Sequence, residues 1–179
     1  MEKGYLHIYT GNGKGKTTAA FGLTLRAIGA GKNVYIGQFI KSMEYHENRL
    51  VQLLEQAGDP SFGKLTIELL GRGCFITQKP QEEDVRMAHE ALQHCTELLK
   101  GNEYQVVILD ELCVALYFQL VSVQEVMDAL KDRNPAVEVV ITGRKAPQEL
   151  IDLADLVTEM QEVKHYYQQG VLSRDGIDH

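Results

Sequence analysis

The chain is poor in most features that would remove it from the ordinary globular class. It holds three cysteines, Cys74, Cys95 and Cys113, an odd number with no C-x-x-C or other paired spacing. That suits a reducing cytosol in which thiols stay free better than a disulfide framework. No apolar run approaches the roughly 20 residues that a membrane span needs. Met1-Glu2-Lys3-Gly4-Tyr5 lacks the apolar stretch and small-residue cleavage site of a secretory signal, so a cytoplasmic location away from membranes is expected. The four prolines, Pro60, Pro80, Pro135 and Pro147, sit at punctuation points. Internal repeats, low-complexity tracts and Pro/Ser-rich linkers are missing too, and the length predicts one domain over residues 1–179. Positive charge is in the minority, with 18 Lys+Arg against 25 Asp+Glu and a formal net charge of −7. Such a surface repels phosphate backbones, which argues against nucleic acids and anionic membranes as partners and leaves room for a local basic pocket.

What is present is an alternation. Short apolar, β-branched runs at residues 5–9, 34–39, 65–70, 106–109 and 137–141, with a weaker one at 156–160, read as strands. Helices are predicted between them at about 16–30, 46–57, 82–100, 122–132 and 147–153. Val85, Ala88, Leu92, Cys95 and Leu99 recur at helical spacing in the middle one. The runs at 106–109 and 137–141 are continuously apolar, as strands buried on both faces must be. The pattern predicts an α/β fold with a mostly parallel sheet of about six strands and helices on both faces. In such sheets ligands bind beyond the carboxyl ends of the strands.

After the first strand comes Thr10-Gly11-Asn12-Gly13-Lys14-Gly15-Lys16-Thr17-Thr18, followed by Ala19-Ala20-Phe21. The pattern G-x-x-x-x-G-K-[ST] is met at its end, although Thr10 stands where the first glycine is usual. Gly11, Gly13 and Gly15 give the loop its positive-φ turns and let successive backbone N–H groups face an oxyanion. The next helix aims its positive N-terminus at the same place. Lys16 supplies charge to phosphate oxygens and Thr17 a hydroxyl for Mg²⁺. A glycine-rich turn entering a helix is the bland alternative, but strand, loop, Gly-Lys-Thr-Thr and helix in this order define a nucleoside triphosphate site of the P-loop NTPase (RecA-like) kind. Val106-Val107-Ile108-Leu109-Asp110-Glu111, four apolar residues ending in two carboxylates, has the form of the strand whose acidic end reaches the Mg²⁺ shell.

Weaker signals are set aside. His89 and His94 are five residues apart, about 140° around a helix, so a shared metal is not expected. No Asn-Lys-x-Asp base-reading string of a GTPase occurs. Cys113 reads as an apolar filler, and Tyr166-Tyr167 as packing rather than a stacking platform.

Several strings together resemble the P-loop type ATP:corrinoid adenosyltransferases. They are residues 10–22 with Arg26-Ala27 and Gly31-Lys32, then Gln38-Phe39-Ile40-Lys41, Leu109-Asp110-Glu111-Leu112 and Ile141-Thr142-Gly143-Arg144. The closing stretch matches as well: residues 153–160, Lys164-His165, Gly170-Val171 and Gly176-Ile177-Asp178. The resemblance spans essentially the whole chain. It implies transfer of the 5′-deoxyadenosyl group of ATP to the Co(I) of a reduced corrinoid, with release of triphosphate. The cobalt is the nucleophile, so the protein orients, excludes water and stabilises leaving-group charge. It further implies Lys16, Thr17 and Glu111 as catalytic residues, with Thr17 and Glu111 on Mg²⁺. ATP contacts would come from Gly11, Asn12, Gly13, Lys14, Gly15, Lys16, Thr17, Thr18, Arg26 and His165. A homodimer and a reduced flavoprotein electron donor are part of the same implication.

Two stretches depart from the family's pattern. In Gly71-Arg72-Gly73-Cys74-Phe75-Ile76-Thr77-Gln78, Phe75 takes the place of a usual tryptophan and Gly73 that of a phenylalanine, in the loop that meets the lower corrin face. Phe75 is the expected corrinoid contact. Ser42 and His46 stand where glycines are usual, with Glu47 retained. The alternatives are a P-loop phosphotransferase or ATPase, which would yield ADP, and a corrinoid or nucleotide carrier without turnover.

Overall fold

The computed structural model describes residues 3–41, 46–72 and 80–178. Phe75, the corrinoid contact implied by the resemblance, and Gly73 and Ser42 lie outside the described residues.

Six strands form one sheet: β1 (Leu6–Thr10), β2 (Val34–Gln38), β3 (Leu65–Leu69), β4 (Val106–Asp110), β5 (Glu138–Thr142) and β6 (Leu156–Glu159). Their order is β3-β2-β4-β5-β1-β6 and every pairing is parallel. β2 and β4 are buried at every position, as continuous apolar runs in a covered parallel sheet require. β6 is an edge strand exposed along its whole length, which explains its weak apolar signal.

Among the described residues six α-helices cover the sheet: α1 (Lys16–Gly29), α2 (Arg49–Ala57), α3 (Glu82–Lys100), α4 (Leu112–Tyr117), α5 (Val123–Lys131) and α6 (Gln148–Leu153). The core divides in two across the sheet. Ala20, Phe21, Ala27 and Ile28 of α1 join Leu50, Val51 and Leu54 of α2 on one side. Ala88, Leu92 and Leu99 of α3 pack with Leu116 of α4, Val126 and Leu130 of α5 and Leu150 of α6 on the other. Capping boxes start two of these helices, Gln81 with Asp84 at α3 and Ser122 with Glu125 at α5, each satisfying otherwise orphaned backbone donors. Among the described residues, α4 is the α-helix the sequence pattern does not predict. Its residues are apolar almost all round, so they show no helical stripe.

In register, the carboxyl ends of four adjacent strands form a polar row. Gln38 of β2 lies opposite Asp110 of β4, and Thr142 of β5 opposite Tyr9 of β1, the residue before Thr10. The fold thereby delivers polar side chains from distant segments to one end of the sheet, where the loop after β1 begins.

Candidate nucleotide site

The site is built on Asp110, which is fully buried at the end of β4. Both of its oxygens are used twice. Oδ1 accepts from the Thr17 hydroxyl at 2.8 Å and the Thr142 hydroxyl at 2.6 Å. Oδ2 accepts from Lys41 Nζ at 2.8 Å and Gln38 Nε2 at 3.2 Å. Burial pushes the Asp110 carboxyl up, but the Lys41 charge and these hydrogen bonds outweigh it and hold the group below the usual carboxylate range. Lys41 answers in kind: burial lowers its ammonium, and the Asp110 charge more than restores it. Thr142 is bifunctional, since its oxygen also accepts from the Glu111 N–H at 2.9 Å.

Two residues flanking this network adopt left-handed backbone that non-glycine residues rarely take. Ile40 has φ 68°, unusual for a β-branched side chain, and Glu111 has φ 61°. The turn at Ile40 brings Lys41 back onto Asp110. That at Glu111 ends β4 and starts α4, and its side chain lines the cleft. Gly143, at φ 131°, follows β5 here because a Cβ would stand 2.8 Å from that of Cys113. Strain of this kind concentrates at sites where surrounding structure over-determines it.

The phosphate loop takes the positive φ expected at Gly11 and Gly15, 96° and 118°, but Gly13, where it is also expected, does not adopt one. Its glycines also answer a second demand. The chain beyond β6 runs against the loop so closely that a Cβ on Gly11 would lie 2.4 Å from the Met160 carbonyl oxygen. The N–H of Gly13 donates to that same carbonyl at 2.6 Å, so this amide is directed at Met160. Lys16 is buried and donates to the Gly13 carbonyl at 2.8 Å. Burial, then the nearby Arg144, lowers its pKa.

A cleft of about 740 Å³ opens above this floor. Gly13, Lys14, Gly15, Lys16, Thr17 and Thr18 line one bank. Lys41, His46, Glu47 and Glu111 line another, with Phe21, Ile40, Val114 and Phe118 as apolar wall and Arg144 and His165 at the rim. Burial first, and then the Asp110 charge, raises the Glu111 carboxyl. The sequence-predicted residues Lys14, Lys16, Thr17, Thr18, Glu111 and His165 are therefore brought together.

Three predicted ATP contacts are not among the residues lining the cleft. Gly11 packs beneath Met160 and Asn12 is exposed at the loop. Arg26 is exposed in the last turn of α1, ten residues from Lys16, which is about 15 Å along a helix axis. The sequence reading, in turn, passed over Asp110 as the anchor and gave Lys41 and Thr142 no role. The signal for them was present, because each closes or follows a predicted apolar strand.

Elsewhere, His89 pairs with Glu125 and His94 with Glu68, two separate partners on different elements. Cys113 is buried, its thiol pushed up to about 12 by burial.

A phosphate loop after β1, facing a buried strand-end carboxylate in an all-parallel sheet, defines the P-loop α/β class. The flagellar accessory protein FlaH of Methanocaldococcus jannaschii shares this fold, with a TM-score of 0.50 at 12% identity over 89% of this chain and 72% of that one. The chain belongs to the ATP:corrinoid adenosyltransferase family, whose model (BtuR/CobO/CobP) matches residues 2–179. It is 36% identical over 178 residues to the corrinoid adenosyltransferase of Escherichia coli K12, covering 99% of this chain and 87% of that protein. It is 37% identical to the corrinoid adenosyltransferase CobA of Salmonella typhimurium, with the same coverage. A corrinoid adenosyltransferase of Sinorhizobium is also 37% identical, over 99% of this chain and 81% of its own length.

Proposed function

We propose that this protein transfers the 5′-deoxyadenosyl group of ATP to the Co(I) of a reduced corrinoid, releasing inorganic triphosphate, in the formation of adenosylcobalamin. The observation that carries the reading is the placement of Lys16, Thr17 and Glu111 on one cleft, in a chain that matches the family model from residue 2 to 179. A cobalt nucleophile needs no protein base, and the cleft supplies what remains: a buried cation, a positive helix end and an apolar wall.

The donor set suits Mg²⁺. Thr17 gives its proton to Asp110, which leaves its oxygen lone pairs to face a cation. Asp110, with four donors on its two oxygens, is committed to holding Thr17 and Lys41. Of the strand-end pair Asp110-Glu111, Glu111 is the carboxylate that lines the cleft. One hydroxyl and one carboxylate, with phosphate oxygens and water completing the shell, are the hard-oxygen ligands this ion prefers. When bound, it neutralises charge on the departing triphosphate. Lys16 and the amides at the start of α1 bind the same anion, and His165 and Lys14 contact the nucleotide from the rim.

ATP reversed in the loop, with its 5′-carbon toward the corrinoid, fits this division between a charged floor and an apolar wall. A homodimer, a cytoplasmic location and a separate reduced flavoprotein donor belong to the same reading. No described helix is long and apolar enough to cross a membrane. The test is an anaerobic assay with ATP, Mg²⁺ and chemically reduced cob(I)alamin. Adenosylcobalamin with stoichiometric triphosphate is the expected result; ADP and phosphate instead would establish a phosphotransferase or ATPase.

A further inference from the structure

The segment after β6 returns across the cleft and ties itself together around one carboxylate. Asp178 Oδ1 accepts from the Tyr166 hydroxyl, and Oδ2 accepts from Arg174 through its backbone N–H at 3.1 Å and its Nε at 3.2 Å. The Arg174 guanidinium lies over the Tyr166 ring, 4.6 Å from its centroid. The Asp178 N–H closes the loop onto the Arg174 carbonyl at 2.9 Å, with Gly176 turning at φ 69°.

The product of this lacing is an acceptor aimed at the phosphate loop. Lys14 Nζ donates to the Ile177 carbonyl at 2.7 Å and lies 3.5 Å from Asp178 Oδ1. On the opposite bank His46 pairs with Asp175, so the segment touches both sides of the cleft that Gly176, Ile177 and Asp178 help to line. The charge arrangement matters. The Asp178 carboxylate is already engaged by Arg174, while the shortest bond to Lys14 comes from a neutral carbonyl. Lys14 is thereby fixed chiefly by a neutral acceptor, sharing the Asp178 carboxylate with Arg174, and an ammonium has three donors. Fixing a long side chain before binding removes an ordering cost that the bound state would otherwise carry.

We propose that Tyr166 and Asp178 are positioning residues of the nucleotide site, locking the loop whose Ile177 carbonyl holds the Lys14 ammonium at the rim, directed at the polyphosphate of ATP. The inference rests on the ATP-site reading above and adds residues outside the phosphate loop to it.

The test uses the full chain and inorganic tripolyphosphate, titrated calorimetrically with Mg²⁺ and without corrinoid. Tyr166→Phe removes the hydrogen bond and leaves every charge in place; Asp178→Asn removes the acceptor charge. Each is expected to weaken tripolyphosphate on the order of 3- to 10-fold, the size of one hydrogen bond's influence. In turnover both should raise the KM for ATP far more than they lower kcat, and Asp178→Glu should recover part of the loss. In a Lys14→Ala background Tyr166→Phe should have no further effect, because the residue it positions is gone. Additive losses in that cycle, or tighter tripolyphosphate binding by Asp178→Asn, would overturn the proposal. If Lys14→Ala and Lys16→Ala also left tripolyphosphate affinity unchanged, the nucleotide site itself would be misplaced, and both readings would fall.

Discussion

Lys16 is buried in the cleft and held by the Gly13 carbonyl of its own loop. In the proposed reaction its charge would offset the charge that develops on a leaving triphosphate. Lys16→Ala is expected to cost on the order of 10²-fold or more in kcat, read by single-turnover formation of the cobalt–carbon bond. Glu111 gives a pH signature. Burial and the neighbouring Asp110 charge raise its carboxyl, so it stays protonated to higher pH than an ordinary glutamate. A metal-binding carboxylate must be ionised. The Mg²⁺ concentration needed for half-maximal activity should therefore rise as pH falls through that raised value. Glu111→Gln should weaken the metal requirement's dependence on pH, and a titration identical to the parent protein would remove Glu111 from the metal shell. At this scale the sequence was informative about Lys16 and Thr17, because a glycine loop leaves a helix-starting lysine and threonine only one place to go. It was uninformative about which carboxylate of Asp110-Glu111 does what. That division depends on a left-handed residue and on donors arriving from other strands, neither of which adjacency in sequence reveals.

Between elements, the buried carboxylate of β4 is what joins β2, β5 and α1. Asp110→Ala would leave Lys41, Thr17, Thr142 and Gln38 without their shared acceptor. Removing one member of such a buried pair typically costs about 3–5 kcal/mol, an outcome that urea unfolding would measure. The sign with pH is also fixed. The native carboxyl lies below its unfolded value of about 3.9, so its stabilisation is complete above that value and is lost as pH falls through the depressed native one. Five of six helices and all six strands could be read from periodicity, since each carries a stripe, an alternation or an unbroken apolar run bounded by turn residues. The helix α4 could not, being short and apolar on nearly every side. Arg26 marks another limit: an ATP contact there is implied by the resemblance alone, and α1 carries the residue to its last turn, outside the cleft lining.

Taken whole, the molecule gathers Lys14, Lys16, Lys41 and Arg144 around the cleft at the carboxyl end of the sheet, so a polyanionic ligand bound there should stabilise the entire fold. At about a hundred times its dissociation constant, tripolyphosphate with Mg²⁺ should add about 2.7 kcal/mol. For a chain of this length that is a rise in Tm of about 5–10 °C, and scanning calorimetry should find it strongly reduced in Lys16→Ala. The close contact between the phosphate loop and Met160 carries a different kind of consequence. Gly11 and Gly13 rest on a stretch of backbone that the ribosome makes roughly 150 residues later. The nascent chain thus emerges with its most recognisable sequence complete but without the mould that shapes it. A loop grafted into another scaffold without that late-made backing would carry the signature and lack the seat.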